Sequence, residues 1–121
     1  MIHRDFVIER GGSRPIRLVF PCFEDEAQPE RACRMNRFYG AAADAAFRYA
    51  EELPDDRRFG YFCSYEAEEE DGCVLIRLHF SFRRAGKKTQ QRTLIHRWKD
   101  GVLSAQKGSR TIRKMRCMDI L

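Results

Sequence analysis

Apolar positions along this chain change period twice. Ile2, Phe6 and Ile8 share one parity, and after Gly11-Gly12-Ser13 the residues Ile16, Leu18 and Phe20 again recur every second position. Two such runs across a glycine-rich turn predict a β-hairpin, closed by Pro21 and the acidic Glu24-Asp25-Glu26. From Glu30 to Leu53 the spacing becomes three or four. Met35, Phe38, Ala42, Ala46, Tyr49 and Leu53 form a stripe widened by Tyr39, Ala43, Phe47 and Ala50. This period is that of an amphipathic helix, about 30 Å long at 1.5 Å per residue. The alanines leave it a slim surface for close packing, Gly40 weakens its middle, and Pro54 ends it.

After Pro54 the period returns to two. Phe59, Tyr61, Cys63, Tyr65 and Ala67 alternate with residues that become Glu66, Glu68 and Glu70, and Asp71-Gly72 marks a turn. Val74, Ile76, Leu78, Phe80 and Phe82 then alternate with Arg77, His79, Ser81 and Arg83. A second turn at Arg84–Lys87 leads into Thr89–Lys99, where Leu94, His96 and Trp98 share a parity; Asp100-Gly101 turns once more before Val102-Leu103. The expectation is a single α+β domain over residues 1–103. One long amphipathic helix packs on an antiparallel β-sheet made of the N-terminal hairpin and a three-stranded meander. Ile112, Met115 and Met118 lie three apart, so residues 104–121 read either as a short basic helix or as a tail.

A chain of 121 residues is one ordinary domain. Its charged fraction of 34% beside 43% hydrophobic residues fits a heavily charged surface around a core, not a disordered chain. No apolar run is long enough to span a bilayer, and the N-terminus reads as a strand rather than a signal peptide. Cys22, Cys33, Cys63, Cys73 and Cys117 are odd in number and widely spaced, without a C-x-x-C pair. Reduced thiols in a cytoplasmic protein are the expectation, with neither a disulfide framework nor a zinc site.

Charge is split along the chain. Residues 77–121 hold thirteen Lys or Arg against Asp100 and Asp119, whereas residues 1–76 hold ten basic residues against sixteen acids. An electropositive region attracts acidic protein surfaces or other polyanions. The residues expected to form it are Arg77, Arg83, Arg97 and Lys99 on the sheet's outer parity, with Arg84, Lys87 and Lys88 at a hairpin tip. Arg110, Arg113, Lys114 and Arg116 of the tail would join a nucleic-acid surface. Against that alternative, Phe80, Phe82 and Trp98 fall on the core parity, so stacking platforms for single strands are missing from the outer one. The basic tip could also be neutralised locally by Asp55 and Asp56.

Catalytic constellations are thin. His79 stands on the polar parity beside Arg77 and Ser81, where a solvated imidazole is expected. His96 shares the parity of Trp98 and should be half-buried beside it. A Cys63–His79 thiolate pair is disfavoured, because Glu66 and Glu68 oppose thiol ionisation. The run Glu66–Asp71 lacks the spacing of a calcium loop. No enzyme activity, metal or cofactor is expected.

The segments RMNRFYGAAADAAFRYAEEL at 34–53, YFCSYEAEEEDG at 61–72, CVLIRLHFSFRRAG at 73–86 and RWKDGVL at 97–103 carry a family resemblance. Their order, with Asn36-Arg37-Phe38-Tyr39 and Trp98…Asp100-Gly101, resembles the RsiV/PdaC-type domain of unknown function. That domain occurs in an anti-sigma factor and beside a peptidoglycan deacetylase domain, with short cytosolic-looking versions in bacterial proteins of Firmicutes. The resemblance spans about residues 15–103. It implies a helix against an antiparallel sheet and a non-enzymatic binding or sensing role. Where that family has a Gly-Gly-x-His segment, this chain reads RRAGKKTQQ, and neither lysozyme binding nor any catalytic residue is carried over. An exposed sheet edge in so short a version would allow a homodimer.

Overall fold

A computed structural model describes residues 1–105. The expected C-terminal helix and the basic residues Arg110, Arg113, Lys114 and Arg116 fall at 106–121, outside the described residues. The order is β1 (Ile2–Arg10), β2 (Ile16–Glu24), α1 (Pro29–Glu51), β3 (Gly60–Glu70), β4 (Cys73–Arg83), β5 (Gln90–Lys99) and β6 (Val102–Ala105). All six strands form one sheet in sequence order, with α1 packed on one face. It is an α+β fold, mostly antiparallel.

The antiparallel pairings follow from local turn chemistry. Asp71 and Gly72 have φ of 50° and 75°, and Asp100 and Gly101 have 52° and 76°. Two consecutive left-handed residues match the twist of a two-residue hairpin, which is why Asp-Gly stands at both turns. The first turn sets Glu70 opposite Cys73 and holds eleven pairs in register as far as Gly60 opposite Arg83. The second sets Lys99 opposite Val102, so the meander gains a fourth, short strand.

One junction departs from the all-antiparallel expectation. The strand–helix–strand path β2–α1–β3 brings β2 beside β3 in parallel, because a helix crossing returns the chain to the end of the sheet from which it left. The pairing is short, from Ile16 opposite Tyr61 to Leu18 opposite Cys63. Beyond it a side chain takes over the ladder's task. Asn36 Oδ1 accepts the Phe23 N–H at 2.7 Å, while Asn36 Nδ2 donates to the Phe23 carbonyl at 2.9 Å. The amide thus satisfies both backbone groups of a strand residue that lacks a strand neighbour on that side. Asn36→Ala should cost about 1–3 kcal/mol by orphaning these groups. Hydrogen exchange should show the Phe23 amide losing protection first; unchanged protection there would refute the role.

The helix begins with proline in its first turn, where a missing N–H costs nothing. Ahead of it, Asp25 Oδ1 accepts the N–H groups of Ala27 and Gln28 at 3.0 and 3.1 Å, and Oδ2 takes the Arg31 guanidinium at 2.6 Å. The Arg31 hydrogen bond leads in holding the Asp25 carboxyl below its ordinary pKa. At the other end, Asp55 Oδ1 accepts the Ser13 and Arg14 N–H groups at 3.1 and 3.2 Å, tying the first hairpin turn to the loop after the helix.

The core lies between α1 and the sheet. Ala42, Ala43, Ala46 and Ala50 are fully buried with Met35 and Tyr39, so the backbone of α1 approaches the sheet closely. Phe38, Phe47, Tyr49 and Leu53 are only partly buried and line the flanks. The stripe is therefore centred nearer Tyr39, Ala43 and Ala50 than its apolar spacing suggests. Large aromatics fill the wider margins while alanines occupy the line of closest approach. Ile16, Leu18 and Phe20 of β2 and the even-numbered residues of β4 supply much of the sheet side.

Candidate functional site

Pairing register builds the opposite, open face. Ser64 stands opposite His79, Glu66 opposite Arg77 and Glu68 opposite Leu75. Across the next pair, His79 faces Thr93, Arg77 faces Ile95 and Leu75 faces Arg97. Partners in a ladder point to the same side, so these residues share one surface, away from α1. Its centre is polar, with Leu75 and Phe62 half-buried within it.

Acids and bases alternate here. Arg77 donates to Glu68 Oε1 at 2.8 Å, and His79 Nε2 lies 2.8 Å from Glu66 Oε1. The other ring nitrogen of His79 is 3.1 Å from Thr93 Oγ1. The imidazole is thus held in one orientation between a carboxylate and a hydroxyl, with less freedom than a simply solvated ring. Arg97 donates to Cys73 Sγ at 3.3 Å.

The seven basic residues singled out by sequence fall into separate groups. Arg77 and Arg97 lie near one end of the open face, around a shallow depression of about 410 Å³ that also touches Glu70, Asp71 and Cys73. Lys99 is exposed at the same end, opposite Cys73. Arg83 lies six residues from Arg77 along β4, about 20 Å away, and donates to the Arg57 carbonyl at 2.9 Å. Arg84 turns to the helix side and donates to Tyr49 Oη at 2.7 Å. Lys87 and Lys88 remain exposed at the tip. Asp55 and Asp56 do not neutralise that tip, since their ion pairs are with Arg14 and Arg58. Between the basic groups lies a second depression of about 330 Å³, lined by Arg17, Ser64, His79, Ser81, Gln91 and Thr93 among others. Sequence reasoning missed Arg17, Ser64 and Thr93 as members of this surface, because nothing in their local pattern distinguishes them.

The described residues hold eighteen Lys and Arg against seventeen Asp and Glu. Most of the chain's positive excess therefore belongs to residues 106–121, outside the described residues.

Cys63 stands opposite Phe80 on the helix face, while His79 faces the other way, so the two form no thiolate–imidazole pair. Burial pushes the Cys63 thiol far up, away from ionisation. Cys22, Cys33, Cys63 and Cys73 are all free, the first two exposed. Among the described residues no group of three or more His, Cys, Asp or Glu side chains is placed to hold a metal. No described helix is long and apolar enough to cross a membrane.

A second polar constellation lies in the core. His96 is completely buried, not half-buried, and stacks on Tyr39 with ring centroids 5.8 Å apart. Trp98 Nε1–H donates to Tyr39 Oη at 2.8 Å, and the same oxygen lies 2.8 Å from His96 Nδ1. The hydroxyl and Nδ1 share one hydrogen bond, whose direction is set by the imidazole tautomer. Nε2 is buried without a hydrogen-bond partner among the described residues. Desolvation lowers the His96 pKa to about 4, so the ring is neutral in the folded protein. Burial likewise keeps Tyr39 protonated. This network holds a corner of the core and does not reach the open face.

No protein-family model matches the chain, and no curated protein matches it. Among solved structures it is similar to a DUF3298 family protein from Pseudomonas aeruginosa PAO1, with a TM-score of 0.60 at 12% identity. The two share a fold. The match covers 87% of this chain and 54% of that one, so the described architecture corresponds to about half of the larger protein.

Proposed function

We propose that this is a non-enzymatic binding domain that recognises a protein through the open face of its sheet. The observation that carries the reading is the mixture of charge there: Glu66, Glu68 and Glu70 stand among Arg77, Arg97 and Lys99. A phosphate backbone laid on this face would meet carboxylates at each step along β3. A protein surface of alternating charge meets both signs, with Leu75 and Phe62 offering apolar contact between them. Kinship with the RsiV/PdaC-type domain belongs to the same proposal. It rests on element order, on the Asn36–Tyr39 signature and on the fold shared with the DUF3298 protein. The free cysteines support a reducing, cytoplasmic setting.

The test is photo-crosslinking in cells from a reactive residue placed at Ser64 or Thr93 on the open face, compared with one at Arg48 on the solvent side of α1. The expected result is a discrete protein adduct from the first two positions and none from Arg48. Adducts from Arg48 alone would refute the assignment of the face. The alternative, a nucleic-acid module using the sheet and the basic tail, is decided by oligonucleotide anisotropy at about 50 and 200 mM salt. Binding that weakens steeply with salt would favour it; no binding at either concentration supports the protein reading.

A further inference from the structure

We propose that His79 makes recognition at the open face proton-dependent, by reversing the direction in which the Thr93 hydroxyl hydrogen-bonds. The inference rests on the reading of that face as the binding surface. It names the group that the protonated face selects: a hydrogen-bond acceptor, a carbonyl or carboxylate of the partner protein. His79 sits on β4 with Ser64 of β3 directly opposite on one side and Thr93 of β5 on the other. Its ring links the two flanking strands, with Nε2 2.8 Å from Glu66 Oε1 and Nδ1 3.1 Å from Thr93 Oγ1.

Proton positions are fixed at both ends of this bridge. A carboxylate can only accept, so the nitrogen facing Glu66 carries a proton. In the neutral ring Nδ1 is then bare and can only accept, and Thr93 donates its single proton to it. In that state the hydroxyl offers only lone pairs to a partner. A proton added to the ring enters at Nδ1, because Nε2 already carries one. Nδ1–H then donates to Thr93, whose own proton must turn outward. Protonation of the imidazole thus exposes a hydrogen-bond donor one side chain away and adds a positive charge beside it.

The surroundings leave this response to His79. Thr93 is exposed and lines the depression of about 330 Å³ with the uncharged Ser64, Ser81 and Gln91. An imidazole is the side chain that ordinarily changes charge between about pH 5 and 8. The charged groups around the ring are Glu66 and Glu68 of β3, Arg77 of its own strand and Arg17 of β2. On β5 the nearest charge of this parity is Arg97, since Arg92 stands opposite the core residue Phe80. Arg77 is paired with Glu68 and Arg17 with Glu9, which leaves Glu66 as the charge in direct contact with the ring. The other two histidines lie on the helix side. His96 is in the core, and His3 bonds Tyr65, which stands opposite the core residue Leu78.

Two measurements on the full chain decide it. In the free protein, the ring nitrogen resonances of His79 should show Nε2 protonated and Nδ1 bare at about pH 8, with Nδ1 gaining a proton by about pH 5.5. In cell lysate, a photo-reactive residue at Ser64 should give its protein adduct in higher yield at about pH 6 than at about pH 8. The expected ratio is about three-fold or more, the size of one hydrogen bond. His79→Gln should abolish that response. Thr93→Val, which keeps the shape without the hydroxyl, should remove most of it. A neutral ring protonated at Nδ1, or a ring that stays neutral down to about pH 5.5, would overturn the proposal. Equal or lower yield at about pH 6, or a response undiminished in Thr93→Val, would also overturn it while leaving the open face as the binding surface. No adduct at either pH would remove the reading of the face, and the proposal with it.

Discussion

Tyr39→Phe is expected to lose about 2–5 kcal/mol of stability, although it removes a single oxygen. That oxygen accepts from Trp98 Nε1 and bonds His96 Nδ1, both at 2.8 Å in the core. Its removal leaves two buried polar groups unpaired, each costing about 1–3 kcal/mol. His96 Nε2 already has no partner among the described residues, so the imidazole would be left without a hydrogen bond to any of them at either nitrogen. Phenylalanine fits the vacated ring position, and volume change contributes little. Urea unfolding reads the loss directly. A double-mutant cycle with His96→Leu should show coupling, since the second change removes a group that the first has orphaned. A loss below about 1 kcal/mol, or strict additivity, would mean that the three side chains do not act as one network.

Stability should also fall by about 2 kcal/mol between pH 7.5 and pH 5, before most carboxylates titrate. An unfolded histidine titrates near 6.5, whereas burial lowers His96 to about 4 in the folded protein. The unfolded chain therefore binds a proton first. This contribution is fully present above about pH 6.5, declines as pH drops, and levels off below about 4, for a total of about 3 kcal/mol. Chemical denaturation along a pH series measures the slope, and His96→Gln should flatten it. In the folded wild type, the His96 ring resonances should hold their neutral shifts down to pH 5. Titration of that ring near 6.5 would remove the basis of the prediction.

Both effects concern a residue that alternation assigns to the right side of the sheet but at the wrong depth. The shared parity of His96, Leu94 and Trp98 points to the core face. It does not reveal that β5 is covered there by Phe38 and Tyr39, whose rings close over the imidazole. Asn36 presents the same problem. In the sequence it belongs to a short motif without evident chemistry; in the fold it replaces a missing strand for Phe23.

The open face was more legible than its charge suggested. Once Asp71-Gly72 is recognised as a two-residue turn, Glu70 must face Cys73, and counting back sets Glu66 opposite Arg77. The acids of β3 and the bases of β4 then belong to one surface, and the electropositive excess of the second half is offset by the first. Reading the strands separately hid this, because linear charge counts ignore which residues a turn makes neighbours. The grouping of Arg17 with Ser64 and Thr93 around one depression has no such shortcut, as it depends on how β2 enters the sheet beside β3.

By itself the sequence determined the element types, most boundaries and the two Asp-Gly hairpins. Each depends on interactions within a few residues: a period of two or of three to four, a proline, or a pair of left-handed turn positions. Tertiary structure alone decided the parallel junction of β2 with β3, the use of Asn36 as a strand substitute and the sealing of His96. These rest on contacts between residues 13, 57 and 59 positions apart for Phe23–Asn36, Tyr39–His96 and Tyr39–Trp98. At such separations no local period constrains the partner, and only the folded path of the chain brings the groups together.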